Sequence, residues 1–274
     1  MTERIRIGAT NSLPARVFLD PLGTRTPRYT VSLGEPDEIA SGLASGEFDV
    51  ALVPAVEYYR AGAEGYRIVP DASISTRGEA GSMRLYARVD LADVKRLGLD
   101  PMGPGESLLA RVLLAERFGA RPKCARLNAS GPAAGRTAAA GRAKLDAFVV
   151  AGDAALGALA RAGAWCAHDL DALWWERAHL PFVHAVWLAR PGVGLTGVDK
   201  DVLLAKRGAA ERLASLARRE AAEIGLEPAE LASRLTRAFV YDLSRTELGG
   251  MQTFYRYAVR DGLAPDGREL EFYR

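Results

Sequence analysis

Two residue types are scarce in this chain of 274 residues: it has two cysteines and three histidines. Cys124 and Cys166 lie far apart and form no short-spaced motif with the scattered histidines, so no metal centre is expected. Long apolar runs are also missing. None approaches the roughly 18 residues a bilayer-crossing helix needs, which argues against a membrane role. The opening "MTERIRIGAT" lacks the apolar core of a secretory signal, and the cytoplasm is the expected compartment. Nor is there an excess of one charge, since 36 Lys and Arg stand against 34 Asp and Glu for a net +2. That balance speaks against nucleic acid as a partner. With no glycine-rich dinucleotide fingerprint, no cofactor is expected. Nothing in the sequence sets an oligomeric state.

What is present is an ordinary globular composition, 49% hydrophobic and 26% charged, long enough for one large domain or two lobes. "RIRIGAT" alternates as a strand does, and "NSLPAR" turns into a helix. "DEIASGLASGEF" reads as a helix with Asp37 near its start, and "DVALVPAVEYY" as a buried strand turning at Pro54. "YRIVPDASIS" and "SMRLYARV" read as further strands. A second unit follows, with a helix in "GPGESLLARVLLAERFG" that Gly119 ends, then a strand, a turn at "AGD" and a helix in "KLDAFVVAGDAALGALARAG". Beyond "PFVHAVWLAR" the chain turns mostly helical. Strands separated by helices predict an α/β fold with largely parallel pairing. Residues 1–86 and 188–274 are expected to form lobe I and residues 87–187 lobe II. "PFVHAVWLAR" is then the second crossing strand, and two crossings place a ligand cleft between the lobes.

Six stretches, taken in order, resemble the chorismate dehydratase family of the futalosine route to menaquinone. They are "GEFDVALVPAVEYYR" at 46–60, "IVPDASISTRGEAGSMRLYAR" at 68–88 and "LLARVLLAERFG" at 108–119, followed by "VVAGDAAL" at 149–156, "HDLDALWWERAHLPFVHAVWLAR" at 168–190 and "ELGGMQTFYRYAVRDGL" at 247–263. The resemblance implies a two-lobed α/β fold like that of type II periplasmic binding proteins, with an interlobe cleft. It also implies a hydro-lyase that converts chorismate to 3-[(1-carboxyvinyl)oxy]benzoate, without a cofactor, on a small carboxylate substrate. A non-catalytic binding protein, or an enzyme of altered specificity for a small aromatic or cyclohexadiene carboxylate, is the alternative.

The resemblance also proposes site residues. In "IGATNSLPAR", either Asn11 or Pro14 falls at the family's asparagine. Asn11 is favoured, because proline has no side-chain donor or acceptor. Asn11 would then orient the substrate; otherwise it caps the turn that follows. Ser82 matches the family's serine in "GSMRL", and is either a hydroxyl that donates to a ligand carboxylate or an ordinary serine at a strand end. Arg84, two residues on, shares its strand face and is either a carboxylate partner or an exposed surface residue. In "LDPMGPGESLLA" the family's Thr-Ser pair is replaced. Gly103, Gly105 and Ser107 keep backbone donors at a helix start, but Glu106 brings a negative charge whose direction decides its effect. Asp153 matches the family's Gly-Asp pair and reads as a ligand contact or a helix cap. His184 stands where the family has a phenylalanine, and reads as a satisfied core residue or as a charged wall of the cleft.

Overall fold

The computed structural model describes residues 4–24, 28–60, 65–100, 103–127, 144–157, 161–162 and 164–273. The first sheet gathers β1 (Ile5–Thr10), β2 (Tyr29–Gly34), β3 (Val50–Pro54), β4 (Arg67–Thr76), β11 (Phe182–Ala189) and β12 (Phe239–Val240), in the order β12-β4-β11-β3-β1-β2. The second gathers β5 (Met83–Ala87), β6 (Arg96–Leu99), β7 (Lys123–Arg126), β8 (Ala147–Ala151), β9 (Arg161–Ala162) and β10 (Trp165–Asp169), in the order β7-β6-β8-β5-β10-β9.

Pairing is mixed in both sheets, which corrects the expectation of a largely parallel arrangement. Among the strand pairings of the described residues, only β1 with β2 and β3, and β6 with β7 and β8, run parallel. The physical reason is the double crossing. A chain that leaves one sheet and returns to it must run the re-entry strand against the exit strand, and β11 is antiparallel to β4. Their register sets Phe182, the first residue of re-entry, opposite Thr76, the last residue of exit, so the two crossings are neighbours in space. The expected lobe boundaries at 86 and 187 shift accordingly. Both fall inside strands, because β5 belongs wholly to the second sheet and β11 wholly to the first.

The helices are α1 (Arg16–Gly23), α2 (Pro36–Ser45), α3 (Pro104–Phe118), α4 (Asp153–Leu156), α5 (Leu170–Ala178), α6 (Val198–Lys206), α7 (Ala209–Ile224), α8 (Pro228–Arg237) and α9 (Arg245–Arg260). One face of the first sheet packs Ile7, Leu52 and Trp187 against α1, α6, α7 and α8. Its other face packs Val53 and Val186 against α2 and α9. The second sheet buries Met83, Leu85 and Val149 against α3 and α5. α9 serves both lobes. Its Met251 and Tyr255 join the core of the first sheet, while Phe254 and Ala258 join Trp174 and Phe182 beside the second. A Ser244–Glu247 capping box starts α9. The helix expected from "AGDAALGALARAG" is a single turn in the described residues. It stops at Gly157, where a side chain would meet the Ile224 carbonyl of α7 at 1.8 Å.

Candidate functional site

A cavity of about 540 Å³ lies between the two sheets, with walls from both. The first lobe supplies the loop after β1, the start of α2 and the bulged segment of β11. The second supplies the first turn of α3 and the turn from β8 into α4. Among the described residues lining it there is no lysine or arginine, whereas Glu35, Glu106 and Asp153 are carboxylates.

Asn11 is exposed in this cavity and does not cap α1, whose N-cap is Ala15 without a side-chain hydrogen bond. Pro14 lines the same wall. Asp153 does not cap its own helix either. Both of its carboxylate oxygens accept from the Leu13 backbone N–H, at 3.1 Å each, so it ties the second lobe to the β1 loop of the first. Burial is the main cause that raises its carboxyl to about 6, with Glu220 adding to the shift and the Leu13 N–H and Arg16 opposing it. The turn that delivers Asp153 rests on Gly152, at φ 66° and ψ −150°, a conformation open essentially to glycine alone.

His184 reaches the cavity through a β-bulge. Val183 pairs with Ser75 and Ala185 with Ile74, which leaves His184 as the extra residue. A bulge breaks the alternation of the strand and re-aims one side chain, here toward the cleft. The ring Nε2 lies 3.1 Å from Asp171 Oδ1 and 3.0 Å from Thr76 Oγ1, and Nδ1 lies 3.6 Å from Glu106 Oε1. Burial alone would lower the proton affinity of the ring, but Asp171 and then Glu106 outweigh it and raise the histidine to about 9. At neutral pH the ring is therefore an imidazolium. Asp171 is 2% exposed and is saturated from behind, because the Thr76 and Ser82 hydroxyls both donate to it, the latter at 3.0 Å.

Several expected site residues are placed differently. Ser82 lines the cavity, but its hydroxyl proton goes to Asp171 rather than outward. Arg84 is buried, not exposed, and is not part of the cavity wall. Its Nε donates to the Ala155 carbonyl at 3.1 Å, because the end of α4 lies over it. Ser107 turns away from the cleft toward a second cavity. Its hydroxyl donates to the Asp100 carbonyl at 3.1 Å and its N–H to the Gly103 carbonyl at 2.8 Å, so neither group is left for a ligand. Gly105 is buried and lines neither cavity. Glu106 points inward. Gly103 makes that approach feasible, since a Cβ there would meet the Ala151 Cβ at 2.4 Å.

Sequence reasoning misses Thr76, Asp169 and Asp171. Asp169 accepts from the Gly81 N–H at 2.7 Å and caps α5 through Ala172 N at 2.9 Å, fastening the first crossing to that helix. Burial, and then its neighbour Asp171, raise Asp169 to about 6. The available signal is the pattern "HDLD": two aspartates at a helix start, of which a cap needs only one.

A family model described as "Menaquinone biosynthesis" matches residues 5–260. A protein of Thermus thermophilus named chorismate dehydratase is 28% identical over 266 residues, 89% of this chain and 90% of that protein. Among solved structures, the alkanesulfonate-binding protein SsuA of Xanthomonas axonopodis pv. citri aligns over 96% of this chain and 94% of its own, with a TM-score of 0.66 and 17% identity. The periplasmic aliphatic sulphonate binding protein of Escherichia coli aligns over 97% and 95%, with a TM-score of 0.64 and 16% identity. These structures share the periplasmic-binding-protein fold with this chain. By the extent of the family match, which spans both lobes and every wall of the cleft, the chain belongs to the menaquinone biosynthesis family.

Proposed function

We propose that the protein is a chorismate dehydratase, which binds chorismate in the interlobe cleft and releases 3-[(1-carboxyvinyl)oxy]benzoate and water. The observation that carries this reading is the coincidence of cleft and similarity. The cavity is lined by the β1 loop, Ser82, the start of α3, the Gly152–Asp153 turn and the His184 strand, all within residues 5–260 that the family model matches.

The reaction removes a ring hydroxyl and the hydrogen on the neighbouring ring carbon. Because the product is aromatic, the protein's task is to orient the substrate and exclude water rather than to supply a large driving force. Asn11, exposed in the cavity and free of capping duty, offers an amide to position a substrate group. The first turn of α3 sets Glu106 in the cavity wall, at the positive end of the helix. The imidazolium of His184 is shared by Glu106 and Asp171, so it offsets part of their negative charge against a dianion. The test is to incubate the purified chain with chorismate and follow the product by mass. Conversion supports the reading, and recovery of unchanged chorismate overturns it.

One observation favours a second reading. A cleft with three carboxylates and no lysine or arginine among its described lining residues suits a ligand with fewer negative charges than chorismate. This is the altered-specificity binding protein or enzyme for a small cyclic carboxylate. Thermal stabilisation by a cyclic monocarboxylate but not by chorismate is the outcome it requires.

A further inference from the structure

The second cavity, toward which Ser107 turns, has a chemistry unlike that of the cleft. It measures about 400 Å³, within the range of small-ligand sites, and both lobes wall it. Pro104, Ser107, Leu108 and Arg111 line it at helical spacing, which puts them on the side of α3 away from Glu106 and the cleft. Among the described lining residues three arginines stand against two aspartates, whereas the cleft has carboxylates and neither lysine nor arginine. Ion pairs and hydrogen bonds sort these groups. Arg126 pairs with Asp37 at 3.1 Å, Arg60 with Glu57 at 3.3 Å, and Asp100 accepts from the Ala151 N–H at 3.2 Å. The Ser107 hydroxyl is committed to the Asp100 carbonyl and the Tyr255 hydroxyl to the Pro265 carbonyl. Two polar side chains are left. Arg111 is partly buried with no ion-pair or hydrogen-bond partner among the described residues, and the Tyr59 hydroxyl is buried without a hydrogen-bond partner.

Both of these groups donate, so the partner they lack is an acceptor. The walls beside them are apolar, with Val56, Leu99, Leu108 and Phe254 around the Tyr59–Tyr255 pair, whose rings stack at 4.0 Å and 7°. A guanidinium without a partner offers its fork to a carboxylate, and flat apolar walls accept a ring. One unspent cation matches one negative charge. We infer that this cavity is a second ligand site, which takes a small aromatic monocarboxylate with its acid group on Arg111 and its ring among Val56, Leu108 and the tyrosine pair. The site lies across the first turn of α3 from the cleft and does not depend on the dehydratase reading.

The test is calorimetric titration of the purified chain with benzoate and with benzamide, its uncharged near-isostere. The parent should bind benzoate with a Kd of about 1 mM or tighter, and benzamide about tenfold more weakly. Arg111→Gln has no partner to lose among the described residues and should hold its melting temperature. Its benzoate affinity should fall about tenfold while its benzamide affinity stays as in the parent. Leu108→Trp fills the apolar side instead of removing the charge, and should weaken both ligands. Asn11→Ala alters the cleft alone and should bind benzoate as the parent does. A folded parent that takes up no benzoate at about 10 mM overturns the site, as does an Arg111→Gln variant whose benzoate affinity stays within about twofold of the parent. Benzoate binding that weakens in Asn11→Ala and holds in Arg111→Gln belongs to the cleft, and that outcome also overturns the inference. None of these readouts uses chorismate, so this site and the dehydratase reading can each fail alone.

Discussion

Each ring nitrogen of His184 faces a carboxylate, and this keeps the ring charged despite its burial. The consequence for stability has a definite sign. Folding raises the histidine from 6.5 to about 9, so its contribution is complete below about 6.5 and is lost as pH rises through about 9. Replacing it with phenylalanine leaves Asp171 and Glu106 without their shared cation, and one broken buried pair costs about 3–5 kcal/mol. The stability gap between parent and His184→Phe, measured by denaturant unfolding, should be widest near pH 6 and narrow above pH 9. A gap constant across that range would show that the ring acts by packing alone. Asp153 has the same sense in a lower pH window. Its carboxyl is raised from 3.8 to about 6, so the folded chain holds the extra proton and loses stability as pH climbs through that window. Asp153→Asn can still accept from the Leu13 N–H. The melting-temperature difference between this variant and the parent should grow in the variant's favour from pH 4 to pH 6. Comparing the two proteins removes Asp169, which titrates in the same window.

At the scale of elements, the cleft depends on how closely α3 approaches β8. Gly103 sits at the contact, and an added methyl would meet Ala151 at 2.4 Å. Gly103→Ala should cost about 1–3 kcal/mol as overpacking and should also weaken ligand binding, because Glu106 rides on the first turn of the displaced helix. Loss of stability with affinity unchanged would detach α3 from the site. These elements were largely legible in the sequence. Apolar spacing and Gly119 marked α3, alternation marked β1, and "SMRLYARV" read as the strand that is β5. The bulge at His184 was not, because "PFVHAVWLAR" reads as one continuous strand and the extra residue shows only against the partner strand. The parallel expectation failed for the same reason, since strand direction in a twice-crossed chain is a tertiary fact. At the site, Asn11, Glu106, Asp153 and His184 were visible as residue types in a recognisable order. The spent hydrogen bonds of Ser82, Ser107 and Arg84, and the role of Asp171, needed coordinates.

The whole molecule is two mixed sheets joined by adjacent crossings and spanned by α9. Several contacts pass between the lobes away from the crossings. Asp153 reaches the Leu13 N–H, Arg234 of α8 donates to the Leu156 carbonyl at 2.7 Å, and Arg126 of the second sheet pairs with Asp37 of α2 at 3.1 Å. These contacts tie the two walls of the cleft together. The dehydratase account therefore makes Asn11 a residue of the cleft and not of the scaffold, since it is exposed there and caps nothing. The most direct measurement is chorismate turnover by the parent and Asn11→Ala side by side, with the unfolding free energy of each. The account predicts aromatic product from the parent, a loss of about 10²-fold or more in kcat for the variant, as when a preorganised polar group is removed, and stabilities within about 1 kcal/mol of each other. Unchanged chorismate with the folded parent, or equal turnover by the two proteins, would contradict it.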